Sequence, residues 1–260
     1  MEQATRRRYL IQSLLNENPR TAKFAIPESK QAQEKMLRAL VNTRLARPIT
    51  PEFEKIQDEY LTELLAQKKV TKLTELTPIA KQIYLWQGDI TTLAVEAIVN
   101  AANQMMLGCY RPNCNCIDNA IHTFAGIQLR NECYAVMKNV GRFVKVGQVL
   151  PTKAYNLPSN YVLHVAGPYV KNGELTPEHE QLLKAAYQNC LKLAADNDLK
   201  SLAFCCISTG EFHFPNERAA QIAVETVTDF LAQTDSELQI VFNVFKDEDQ
   251  QIYHDLLTAQ

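Results

Sequence analysis

No run of apolar residues in the 260-residue chain is long enough to cross a bilayer. Neither sign of charge is in excess: 27 Lys and Arg stand against 29 Asp and Glu, a net charge of −2. The basic residues are dispersed, so neither nucleic acid nor a membrane surface is expected as a partner. The start, Met1-Glu2-Gln3-Ala4-Thr5-Arg6-Arg7-Arg8, has basic residues but no following apolar region or small-residue cleavage site, and is not expected to be a secretory signal. Seven cysteines, an odd number unevenly clustered, argue against a disulfide framework and for a reducing, cytoplasmic setting. Glycine is absent from Gln3 to Leu76, and no Gly-x-x-x-x-Gly-Lys occurs anywhere, which excludes a nucleoside triphosphate P-loop. Internal repeats and low-complexity segments are also missing.

What the chain does contain is a cluster of three cysteines within eight residues, Cys109, Cys114 and Cys116, followed at once by Ile117-Asp118-Asn119. A short loop carrying Gly108 and Pro112 lets thiolates converge on one ion, as separate turns of a helix do not. Three protein ligands without an obvious fourth fit zinc with an open coordination position, the arrangement that suits chemistry more than structure. The competing reading is three free thiols, or a transient disulfide between neighbours.

The first eighty residues differ in texture from the rest. Leu10, Leu14 and Leu15, then Met36, Leu40 and Val41, lie at helical spacing. Thr50-Pro51 reads as an N-cap with proline at the first helical position, and Ile56, Tyr60, Leu61, Leu64 and Leu65 supply that helix's apolar stripe. The region reads as a helical N-terminal extension, residues 1–78, packed on a main domain of residues 79–260, and no chemistry is expected of it.

Beyond Ile79 short apolar runs alternate with helical patterns. Strands are predicted at Ile83 to Trp86, Ala97 to Val99, Tyr161 to Val165, Leu202 to Ile207 and Leu238 to Phe245. Helices are predicted near Asp118 to Ala135, Pro177 to Asp196 and Pro215 to Ala232, with Thr176-Pro177 repeating the cap-plus-proline start. Such alternation implies an α/β sandwich on a mostly parallel sheet, with ligands bound outside the carboxyl ends of its strands.

The distinctive residues fall at those ends. Gly88-Asp89-Ile90-Thr91 follows the first strand, where the carboxylate could accept from an exocyclic amine or simply close an Asx turn. Ile98-Val99-Asn100-Ala101-Ala102-Asn103 ends the second with two amides three apart. Cys205-Cys206-Ile207-Ser208-Thr209-Gly210-Glu211-Phe212 opens a strand into a loop whose N–H groups can wrap an anion, ahead of a helix N-terminus. Cys205 and Cys206 read as packing thiols. His122, one helical turn after Asp118, reads equally as a site residue or a satisfied helix histidine. His164 reads as structural, and His213, Arg218 and Lys153 as surface residues.

Together with Ile117-Asp118-Asn119-Ala120-Ile121-His122 and His164-Val165-Ala166-Gly167-Pro168, these motifs resemble in order and spacing those of a macrodomain, the ADP-ribose-binding fold. The resemblance runs from about Ile79 to the C-terminus. It implies a macrodomain α/β/α sandwich with a mixed, mostly parallel central sheet. Ordinary macrodomain hydrolases carry glycines before the aspartate. The cysteine loop in their place is similar to the zinc-dependent branch of protein ADP-ribosylhydrolases, which also has a helical N-terminal extension. The resemblance implies removal of mono-ADP-ribose from modified proteins, with Zn2+ on Cys109, Cys114 and Cys116 and with cleavage at the anomeric carbon of the distal ribose. It further implies Asp118 and Asn103 at that ribose, Asp89 and the Ile90 backbone at adenine, and Phe245 stacked on the base. Ser208, Thr209, Gly210, Glu211 and Phe212 would cradle the diphosphate. Its partners would be an ADP-ribosylated protein, a lipoyl-carrier protein among the possibilities, and ADP-ribose as product. Where that branch has Pro-x-His-x-Cys, this chain has Cys114 for the histidine, a more thiolate-rich and weaker Lewis-acid site. The rival reading is a non-catalytic ADP-ribose-binding module with a structural zinc or a redox-sensitive thiol loop.

Overall fold

The computed structural model describes residues 1–259. Three helices come first: α1 (Gln3–Asn16), α2 (Lys30–Thr43) and α3 (Pro51–Ala66). The third starts where the chemistry predicts, since Thr50 accepts from the Phe53 N–H at 3.2 Å and Pro51 occupies the first turn, where its missing N–H costs nothing. Leu10, Ile11, Leu14 and Leu15 of α1 bury against Phe53, Ile56, Tyr60 and Leu61 of α3 in a core of their own, which Ile127 also enters. The three helices are thereby fastened to the rest of the chain through shared apolar burial.

Then come β1 (Thr71–Lys72), β2 (Ile83–Gln87), β3 (Leu93–Ala94), β4 (Ala97–Ala102), α4 (Ile117–Ala125), α5 (Ile127–Val140), β5 (Val149–Lys153), β6 (Tyr161–Ala166), α6 (Pro177–Asp196), β7 (Ser201–Phe204), α7 (Asn216–Gln233), β8 (Gln239–Val244) and α8 (Asp247–Thr258). The main sheet has six strands in the order β2-β8-β7-β4-β6-β5. All neighbours are parallel except β5, which runs antiparallel to β6 at the edge. The short β1 and β3 pair separately. Residues in β4, β6, β7 and β8 are buried almost without alternation, as strands covered on both faces must be. Tyr187 of α6, Phe204, Phe242 and Tyr253 of α8 stack in series, with centroids 4.9, 6.5 and 5.1 Å apart. Each such buried ring contributes roughly 1.5–3 kcal/mol from area alone. No described helix is long and apolar enough to cross a membrane.

The expected α/β sandwich is present, with differences in detail. The helix predicted over Asp118 to Ala135 is two helices, broken at Gly126, whose φ of 100° an L side chain rarely adopts. β7 ends at Phe204, so Cys205-Cys206-Ile207 has already left the sheet. The antiparallel β5 and the C-terminal α8 add to the elements expected from the sequence.

Candidate active site

Because β2, β8, β7, β4 and β6 are parallel, their carboxyl ends share one edge. Asp89, Phe245, the segment Cys205–Phe212, Asn103 and Gly167 therefore gather there. The chain between β4 and α4 crosses the same edge and carries the cysteines.

That loop is built by local necessity and by clamps from afar. Gly108 has φ 81°, and a Cβ on it would lie 2.8 Å from the His122 ring, so the backbone rests on the imidazole face. Asn113 takes a positive φ, 56°, that asparagine tolerates. Arg38 of α2 donates to the Cys114 carbonyl at 2.8 Å and, through Nε and Nη2, to Asn119 Oδ1 at 3.1 and 2.9 Å. Asn42 of α2 accepts from the Asn113 N–H at 3.0 Å and donates to Thr123 at 2.9 Å. Arg130 donates to the Leu107, Val41 and Arg44 carbonyls at 2.8, 2.9 and 2.6 Å and lies over the Tyr110 ring. The extension, expected to contribute no chemistry, thus forms one wall of the loop.

Held in this way, the Cys109, Cys114 and Cys116 sulfurs lie within 4.8 Å of one another. Burial pushes the Cys109 and Cys116 thiols up. Burial acts the same way on Cys114, but donors from the Cys116 backbone and from the Cys116, Cys109 and Arg111 side chains outweigh it, and this thiol falls below its ordinary value. Three convergent soft donors on one short loop match what zinc requires, so the residues fit the ion.

Asp118, in the first turn of α4, is 5% exposed. Its Oδ1 accepts from Asn100 Nδ2 at 2.8 Å, and Asn103 Nδ2 stands 3.5 Å from Oδ2. Burial pushes its carboxyl up to about 6, against the opposing Asn100 hydrogen bond and Arg130 charge. A carboxylate with that value is suited to take a proton near neutral pH. Asn103 also donates to the Gly108 carbonyl at 3.3 Å and accepts from the Met105 N–H at 2.9 Å, tying the end of β4 to the start of the loop.

Behind Asp118, Asn100 spends its second amide hydrogen on His164 Nδ1 at 3.0 Å, which leaves the proton on Nε2, 3.0 Å from Thr152 Oγ1. His164 is structural, as expected: both its nitrogens are engaged, although His122, Cys133 and His164 also converge within 4.8 Å. His122 is buried with neither ring nitrogen hydrogen-bonded, and its Nε2 lies 3.6 Å from Asp118.

At the other end of the edge, Asp89 closes the Asx turn, accepting from the Thr91 N–H at 3.0 Å and its hydroxyl at 2.6 Å. Its second oxygen accepts from Lys68 at 3.1 Å. Ile90 is buried beneath, and Phe245 stands 75% exposed, an aromatic face without a partner ring. After β7, next along the edge, Ser208 takes φ 67° and starts the loop that returns through Phe214 N–H to Ser208 O at 3.0 Å. Gly167 is required beside it, because a Cβ there would collide with Ser208 Oγ and lie 2.8 Å from Ile207. Thr209 Oγ1 donates to the Cys206 carbonyl at 3.1 Å, Phe212 meets Tyr169 edge-on, and Gly210 has open space around it. The Glu211 side chain reaches back to Arg111 at 2.7 Å. His213 is exposed, Arg218 pairs with Glu180 at 2.7 Å, and Lys153 is exposed on β5. Sequence reading missed Arg38, Asn42, Arg111 and Arg130. Only Arg111, inside the cysteine loop, had a signal there to find.

A model of the Macro domain family matches residues 99–223. A protein-ADP-ribose hydrolase of Treponema medium is 47% identical over 99% of this chain and 100% of its own length. One of Staphylococcus aureus is 44% identical over 96% of this chain and 94% of its own. Among solved structures, a Trypanosoma brucei macrodomain in complex with ADP-ribose superposes with a TM-score of 0.65 at 28% identity, covering 88% of this chain and 96% of that one. An Oceanobacillus iheyensis macrodomain with ADP gives 0.63 at 33% identity, covering 71% and 94%.

Proposed function

The chain belongs to the macrodomain family, among the protein-ADP-ribose hydrolases it matches along nearly their whole length, and we propose that it hydrolyses the bond between a modified protein side chain and the anomeric carbon of the distal ribose with the help of zinc. The observation that carries this reading is the convergence of three sulfurs on a loop that ends at the buried Asp118, at the edge where the ligand loops gather.

Adenine would lie between Asp89, the Ile90 backbone and the exposed Phe245 ring. The carboxylate accepts from the exocyclic amine, and Phe245 supplies a stacking face. Lys68, now on Asp89, leaves the other carboxylate oxygen to Thr91 and so keeps the side chain in place. The backbone from Ser208 to Phe212 would wrap the diphosphate, with the N-terminal end of α7 adding positive potential. Asn103 would hydrogen-bond the distal ribose and select its reactive conformer. Cys109, Cys114 and Cys116 would hold Zn2+, which when bound supplies Lewis-acid polarisation of a ribose or water oxygen. Asp118 would take a proton from the attacking water. The new bond joins the water oxygen to the anomeric carbon as the bond to the side chain breaks, and the released side chain takes up a proton. Asn100 holds Asp118 in place for this, since both its amide hydrogens are committed.

Seven free cysteines support the placement in a reducing compartment, the cytoplasm. A lipoyl-carrier protein bearing mono-ADP-ribose is the first substrate to test. Incubation should strip label from a mono-ADP-ribosylated protein, and Cys116→Ala or chelation should stop it. Undiminished release by a metal-free preparation would remove zinc from the account. Tight ADP-ribose binding without release from any modified protein would replace the enzyme by a reader.

A further inference from the structure

Arg111 links two parts of the site, the cysteine loop and the loop that follows β7. Its Nη2 donates to Cys114 Sγ at 3.1 Å. The same guanidinium forks onto Glu211 of the phosphate-wrapping loop, Nη1 to Oε2 at 2.7 Å and Nη2 to Oε1 at 3.1 Å. Its own carbonyl is fixed by Asn119 Nδ2 at 3.1 Å and by the Cys114 N–H at 3.3 Å. Arg38 and Arg130, the other cations at the loop, spend their donors on carbonyls and an amide oxygen, not on sulfur.

We propose that Arg111 is the hydrogen-bond partner of the third thiolate, the residue that draws charge off the Cys114 sulfur and so helps an all-cysteine ligand set to hold a metal ion. The assignment rests on the reading of the cysteine loop as a metal site. Three thiolates around a divalent ion carry one net negative charge, whereas two thiolates and a neutral imidazole carry none. That extra charge disfavours an anionic ligand at the same edge, and a hydrogen bond to Cys114 spreads it away from the sulfur even though Glu211 offsets the guanidinium's own charge. A guanidinium never deprotonates at working pH, and a hydrogen bond from it draws electron density off sulfur. Arginine suits the place better than lysine because its planar fork satisfies the sulfur and a bidentate carboxylate together. Arg111 and Glu211 are largely exposed, with side chains 64% and 55% accessible, so their pairing adds little to folding stability. An effect of removing Arg111 is therefore read at the metal, not in the fold.

The test uses the full chain loaded with Co2+ as a spectroscopic stand-in and with Zn2+ in competition with a chelator. Arg111→Ala should weaken zinc affinity about tenfold, the lower end of the usual range for groups behind a metal ligand. It should also move the sulfur-to-cobalt charge-transfer band to lower energy, because the sulfur loses its donor. Arg111→Lys should recover part of both. In a Cys114→His background, where the sulfur that accepts from Arg111 is gone, Arg111→Ala should change neither. Thermal unfolding of the metal-free Arg111→Ala chain should match that of the unaltered one. Unaltered protein that binds cobalt with the same affinity and band as Arg111→Ala would overturn this assignment alone. Unaltered protein that binds no cobalt would overturn it together with the metal reading, and an equal penalty in the Cys114→His background would show that the hydrogen bond to sulfur is not what Arg111 supplies.

Discussion

Replacing Arg38 by alanine should loosen the cysteine loop without touching any ligand. Arg38 makes three hydrogen bonds there, at 2.8 Å to the Cys114 carbonyl and at 2.9 and 3.1 Å to Asn119 Oδ1. Taken at about 1 kcal/mol each, the net worth of an ordinary protein hydrogen bond, they contribute about 3 kcal/mol to the ordered loop. If the loop must be ordered to bring its sulfurs together, that sum appears as a loss of zinc affinity of about a hundredfold. Arg38→Lys keeps the charge but not the fork, and should recover less than half of the loss on the logarithmic scale. Zinc competition with a chelator reads the affinity, and amide exchange at Cys114 and Asn119 reads the loop. Faster exchange at both, with α1 and α3 protected as before, is the expected pattern. Unchanged exchange and unchanged affinity would show that the extension merely covers the loop, and the reasoning would fail.

Asp118→Asn should lower turnover by about a hundredfold or more, the usual contribution of a general base, with ADP-ribose affinity nearly unchanged by calorimetry. Phe245→Ala should leave the unfolding midpoint in place, since the ring is 75% exposed, and should weaken ADP-ribose binding by about 1–3 kcal/mol as base stacking is lost. Burial holds the His164 imidazole down to about 3, whereas in the unfolded chain it titrates at its ordinary value. Below about pH 6.5 the unfolded chain thus binds a proton that the folded chain refuses, and stability falls as pH falls, by about 1.4 kcal/mol per unit for this group. Denaturant titrations of the unaltered chain and of His164→Gln should therefore diverge in slope below pH 6.5 and run parallel above it; parallel behaviour throughout would contradict the burial argument.

The parts of the molecule that could be read from sequence are those written in contiguous residues. The Thr50-Pro51 and Thr176-Pro177 starts gave α3 and α6 because cap and proline act on neighbours. The cysteines and Asp118 fell together because one loop carries them all. Gly126 is not legible in the sequence because the apolar period runs through it, while Gln57 and Gln128, which pack where a Cβ would stand, come from elsewhere in the fold or from the next turn. Edge strand β5 was hidden by Pro151, which an interior strand excludes and an edge tolerates. Arg38 and Asn42 lie 76 and 71 residues from the loop atoms they hold, a distance no local pattern spans. The same holds for Asn100, whose place in its motif was visible but whose partners, Asp118 and His164, come together only through the strand order.

The central claim places a zinc ion at the distal ribose. The most direct test is a crystal structure of the zinc-loaded protein with ADP-ribose, recorded on both sides of the zinc absorption edge. An anomalous peak among the Cys109, Cys114 and Cys116 sulfurs, with the distal ribose beside it and adenine on Phe245, is the predicted result. A fully occupied ligand with no anomalous peak at the loop, or with its distal ribose turned away from the sulfurs and Asp118, would contradict the account.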